Sequence, residues 1–118
     1  MPIQPAYKTL DVYYLSKRLV VACYELTHDL PAEEKTNLVQ YIRNAGVTVH
    51  LNIAQGGFFK RKKKRKQFIK TVKNALVVMD TAVQVLIEVK LVPAEKAAEL
   101  RELAAACYTF FDDLKKQK

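Results

Sequence analysis

At 118 residues, half of them hydrophobic, the chain is long enough for one domain with a real core. Glycine (3) and proline (4) are scarce, and Ala, Leu, Lys, Glu and Val dominate, which favours long helices over a sheet of many short strands. The formal net charge is +8, yet the single run Lys60–Lys66 holds 7 of the 20 basic residues; outside it 13 basic face 12 acidic residues, so the excess is one local feature.

The opening MPIQPAYKTLDV has no charged segment followed by an apolar one, so no signal peptide is expected. The longest apolar stretch, Ala75 to Val89, is interrupted by Asp80 and Glu88, so no membrane span is expected and the location is read as cytoplasmic. Cys23 and Cys107 lack the spacing of a metal or redox motif and read as buried, reduced thiols.

The first predicted helix covers about 9–29, with an apolar stripe at Val12, Leu15, Leu19, Ala22 and Leu26. The second covers about 32–55: Pro31 suits a first turn, and Glu33 and Glu34 suit the positive end of the helix dipole. Its stripe is Leu38, Ile42, Ala45, Val49 and Ile53, and Gly56 offers a C-terminal cap. The third covers about 62–90, with Ile69, Val72, Leu76, Met79, Val83 and Leu86 alternating at spacings of three and four. The fourth, about 93–116, carries Ala97, Leu100, Ala104, Cys107, Phe111 and Leu114. Long helices joined by short turns predict an all-α fold, an antiparallel up-down-up-down four-helix bundle forming a single domain over 1–118. Tyr13, Val20, Val21 and Tyr24 on the first helix, and Val77, Val78, Val85 and Ile87 on the third, exceed what one such core hides. The surplus predicts a homo-oligomer interface, assigned to Tyr13, Val20, Tyr24, Asn52, Val78 and Val85. For Asn52, local packing or capping near Gly56 is the competing role.

The segment LPAEEKTNLVQYIRNAGVTVHLNIAQG, residues 30–56, resembles the signature of the bacterial four-helix-bundle proteins encoded by intervening sequences in 23S rRNA genes. The matching positions are Leu38, Gln40, Ile42, Arg43, Ala45, Val47, Val49, Asn52, Ile53, Ala54 and Gly56; Gln55 departs, standing where the family usually has Glu. A sister branch comprises the accessory variability proteins of diversity-generating retroelements, which partner a reverse transcriptase. The basic residues after Gly57 lean toward that branch. The resemblance implies a ring-like homopentamer without a catalytic site or cofactor.

No constellation of catalytic or metal-ligating residues stands out, and an enzyme is not expected. His28 sits in a last helical turn, where a cation complements the dipole, and His50 has no second ligand at helical spacing, so packing or a hydrogen bond is its expected role. The chemistry lies instead in GGFFKRKKKRKQF, residues 56–68. Cations at a helix start oppose the dipole and repel each other at i, i+3 and i+4, and no acidic residue intervenes before Asp80. Stability alone does not select that arrangement. The predicted nucleic-acid contacts are Lys60, Arg61, Lys62, Lys63, Lys64, Arg65, Lys66, Lys70 and Lys73, with Phe58 and Phe59 either stacking on unpaired bases or packing across the bundle mouth. RNA or DNA bound through its backbone, beside a reverse transcriptase and further copies of the chain, is the leading set of partners. An acidic protein partner and an anionic lipid surface are the competing ones.

Overall fold

The computed structural model describes residues 11–35, 37–57 and 60–116. They form four α-helices, α1 (Asp11–Thr27), α2 (Leu38–Ala54), α3 (Lys62–Glu88) and α4 (Ala94–Lys116), with a short 3₁₀ turn at Ala32–Glu34 and no strand among the described residues. Each helix packs on two neighbours: α1 on α2 and α4, and α3 on the same two, which is the arrangement of a four-helix bundle. Leu19, Ile42, Ile53, Met79, Leu86, Leu100 and Phe111 are fully buried in one continuous core. At its centre, Cys23 Sγ on α1 lies 3.7 Å from Met79 Sδ on α3.

The stripes of α3 and α4 appear as expected, every member being buried except Leu114, which is half-buried. That of α1 is rotated. Leu15 and Ala22 are half-buried, while Tyr13, Ser16, Cys23 and Thr27 turn inward. Two of these are polar and satisfy themselves locally: Ser16 Oγ donates to Tyr13 O at 2.9 Å, and Thr27 Oγ1 donates to Cys23 O at 2.7 Å. A hydroxyl that bonds back to its own helix loses the cost of burial.

The second helix starts at Leu38, later than the Pro31 entry suggested. The backbone N–H groups of Glu34, Lys35 and Asn37 bond three residues back, to Pro31, Ala32 and Glu34, and so wind a tighter turn first. Asn37, whose side-chain amide donates to Glu34 at 3.3 Å, holds the N-cap position. The other ends lie within two residues of expectation where they are described. At its end, α2 stops beneath Gly56 (φ 78°), the C-terminal cap expected there. The end of α3 is less usual. Lys90 adopts φ 65°, Lys90 N–H bonds Ile87 O at 3.0 Å, and Leu91 N–H bonds Leu86 O at 3.0 Å. This is a Schellman ending whose left-handed residue is lysine in place of the usual glycine.

Polar contacts tie neighbouring helices. His50 Nδ1 lies 2.8 Å from Ser16 Oγ, and Arg43 Nε donates to Thr27 Oγ1 at 2.8 Å while its guanidinium covers the Tyr24 ring at 4.5 Å. Arg101 of α4 grips α3 with both edges of its fork, donating to Asp80 at 3.0 and 3.3 Å and to Gln84 at 2.7 Å. No helix among the described residues is long and apolar enough to cross a membrane.

A β-carbon in the left-handed region costs roughly 1–2 kcal/mol, offset in part by the entropy a glycine adds to the unfolded chain. Lys90→Gly is therefore expected to raise stability by about 0.5–1 kcal/mol and the melting temperature by a few degrees, read from urea and thermal unfolding. A variant no more stable than the parent would refute the strain.

Candidate functional site

The basic run leads into and then forms the start of α3. Lys60 and Arg61 precede the helix, Arg61 standing at its N-cap without a side-chain cap bond; Lys62 to Lys66 make its first turn and a half. All are exposed except Arg65, which is half-buried, and none of the seven forms an ion pair among the described residues. The helix therefore begins without a side-chain cap from Arg61 and with cations at the same end, an unfavourable electrostatic start. Packing holds it. Phe68 is 5 % exposed and sits edge-on to Phe111 of α4, ring centroids 5.5 Å apart. The Gly57 backbone lies so close against the Phe68 ring that a β-carbon there would overlap it.

Between the first half of α3 and the end of α4 runs a groove of about 720 Å³. Lys62, Arg65, Lys66, Lys70 and Lys73 line it from α3, and Lys115 lines it from α4. The same walls carry Ile69, Asn74, Val77, Tyr108 and Leu114. The site thus combines six cations with an apolar, partly aromatic base.

One expected contact is revised by this geometry. Lys73 is not a free cation: its Nζ lies 2.6 Å from Asp112 Oδ1 and 4.9 Å above the centre of the Tyr108 ring. That hydrogen bond to Asp112 raises the Lys73 ammonium pKa above its ordinary value, and the bond from Lys73 holds the Asp112 carboxyl below the usual carboxylate range, with Lys116 assisting at 3.5 Å. Lys73 thus fixes the α4 wall and has little charge to offer a ligand. Phe58 and Phe59 lie outside the described residues. Tyr108, Asn74 and Lys115 went unread in the sequence. Tyr108 and Lys115 sit about forty to fifty residues beyond the basic run, and the signal for them was the predicted pairing of the third and fourth helices.

The expected interface residues divide. Tyr13 is buried at 8 % exposure, its ring tilted against that of His50 with centroids 4.9 Å apart, and so is withdrawn from any surface; it belongs to the core because the α1 stripe is rotated. Val20 is half-buried. Asn52 donates its amide to Thr48 O at 2.7 Å, one turn back along its own helix and away from Gly56. Tyr24, Val78 and Val85 remain exposed, and Val21, Tyr14, Tyr41, Leu51, Val77 and Val89 join them.

The histidines and cysteines carry no assembled chemistry. His50 is held toward its neutral form first by burial and then by the nearby Lys17 ammonium. Because the Ser16 hydroxyl donates to Tyr13 O, the neutral ring donates from Nδ1 to Ser16. Burial pushes both thiols up to about 12, leaving them protonated and unreactive. No group of three or more His, Cys, Asp or Glu side chains that could hold a metal ion occurs among the described residues.

Comparison with known families matches residues 8–109 to the family model described as 23S rRNA-intervening sequence protein. Comparison with curated proteins gave no match.

Gly57→Ala is expected to force the Phe68 ring off Phe111 and cost about 1–3 kcal/mol, the usual range for overpacking. Urea unfolding measures this; a loss below 0.5 kcal/mol (roughly the scale of surface substitutions) would mean that Phe68 does not anchor the basic helix.

Proposed function

This chain belongs to the 23S rRNA-intervening sequence protein family, and we propose that it acts as a non-enzymatic, nucleic-acid-binding scaffold, an accessory to a reverse transcriptase of the diversity-generating retroelement type. The observation that carries this reading is the unpaired basic start of α3. Seven consecutive cations lie outside every ion pair of the described residues, on a helix end that electrostatics disfavours. A polyanion supplies the missing counter-charge, and release of its condensed ions drives association. Contacts of this kind read phosphates and carry little base specificity. A cytoplasmic location belongs to the same reading.

The scaffold is an antiparallel up-down-up-down bundle. Supporting this, Ser16 and His50 pair the early part of α1 with the later part of α2, while Lys73 and Asp112 pair the early part of α3 with the end of α4. Copies assemble into a ring-like homopentamer, which repeats the basic end and multiplies the phosphates met at once. The exposed valines support self-association: Val78 and Val85 on α3 and Val89 at its C-cap lie 37–56 % exposed.

Retarded migration of RNA or DNA is expected at about 50 mM salt and is lost by about 300 mM. Changing Lys60–Lys66 to glutamine removes it while helicity survives by circular dichroism. Binding that persists in that variant would sink the proposal; a nuclease-resistant pulldown of an acidic protein, with no retardation, would transfer the basic run to a protein partner.

Light scattering is expected to give a solution mass near five times the 13.5 kDa chain. Val78→Asp with Val85→Asp lowers it without loss of helix. A monomer mass for the parent chain at micromolar concentration would exclude the ring.

A further inference from the structure

We infer that the groove between α3 and α4 receives an unpaired nucleic-acid strand, with Lys62, Lys66 and Lys70 on its phosphates and Tyr108 stacked on a base. This rests on the nucleic-acid reading above and narrows it to single strands. Lys62, Lys66 and Lys70 recur every four residues, a rise of about 6 Å per step along α3. That spacing is close to the distance between successive phosphates of an extended strand. All three are exposed and belong to no ion pair among the described residues, so their charge is available.

The base of the groove separates this ligand from other polyanions. Ile69 is 5 % exposed there, and half-buried Leu114 lies beside it on α4. A polyphosphate or polyglutamate has no use for such a surface, and a duplex keeps its base faces stacked inside. A single strand presents both phosphates and free aromatic faces. A volume of about 720 Å³ is ample for a nucleotide unit.

Tyr108 is set in place before any ligand arrives. The Lys73 ammonium lies 4.9 Å over its ring and is itself held by Asp112, so the ring is oriented from one side while 37 % of the residue stays exposed. Opposite the lysine row, Lys115 brings a cation from α4 and makes the groove two-walled. A merely solvated basic face needs neither the second wall nor the ring.

Fluorescence anisotropy of the full chain with labelled oligo(dT), and with an oligo(dA)·oligo(dT) duplex of equal length, tests this at fixed salt. The single strand is expected to bind more tightly. Tyr108→Ala weakens it about tenfold, within the range for loss of one stacked base, and leaves the duplex unchanged; Tyr108→Phe retains binding. Lys115→Glu, at an exposed position, also weakens the single strand. Equal binding of the single strand by the parent, Tyr108→Ala and Lys115→Glu overturns the inference, as does equal displacement by polyglutamate. Tight duplex binding without single-strand binding overturns the groove alone and leaves the broader reading standing; no binding of either overturns both.

Discussion

The start of α3 is a place where charge and fold disagree, and the ring of Phe68 settles the disagreement. The missing side-chain cap and five helical cations favour fraying of this end. Burying an aromatic ring yields about 1.5–3 kcal/mol, and the edge-on contact with Phe111 adds to it. Those terms match the electrostatic cost in size, so the helix can begin where it does. The bare backbone of Gly57 completes the pocket by giving the ring room that any side chain would take. Were the helix to start a turn later, Lys62 and Arg65 would leave the groove and its lysine row would shorten.

Away from that end, single polar contacts define how the helices sit on one another. A core of Leu, Val and Ala packs acceptably in several rotations, whereas directional bonds do not. His50 with Ser16 and Arg43 with Thr27 set α2 on α1, while Arg101 with Asp80 and Gln84 sets α4 on α3. Arg43 illustrates the economy of this arrangement: one guanidinium caps a buried hydroxyl and covers the Tyr24 ring. No buried side-chain nitrogen or oxygen among the described residues lacks a partner.

How much of this could be read in advance depended on how apolar each face is. On α3 and α4 the inward positions are apolar, and spacing located most of them, missing Phe68, Ala82 and Leu103. On α1 the inward face includes Ser16 and Thr27, whose hydroxyls are satisfied by their own helix, and a hydrophobic stripe drawn through Leu15 and Ala22 is turned away from the true one. The 3₁₀ turn before α2 was hidden because Pro31 and the glutamates favour either kind of turn, and only the local bonding decides. The candidate site was half legible. A run of like charges announces itself along the chain, but the wall supplied by Tyr108 and Lys115 exists only once α4 folds back beside α3. The pairing of Lys73 with Asp112 is hidden for the same reason, since 39 residues separate them.

The two buried thiols give the molecule an internal clock. With both held protonated by burial, neither Cys23 nor Cys107 is alkylated in the closed bundle. A reagent reaches either sulfur only when the core opens around it, Cys23 being packed against Met79 of α3 and Gly46 of α2 and Cys107 lying fully buried on α4. The rates at which the two sulfurs are modified therefore time the opening of two parts of the core in the unaltered protein.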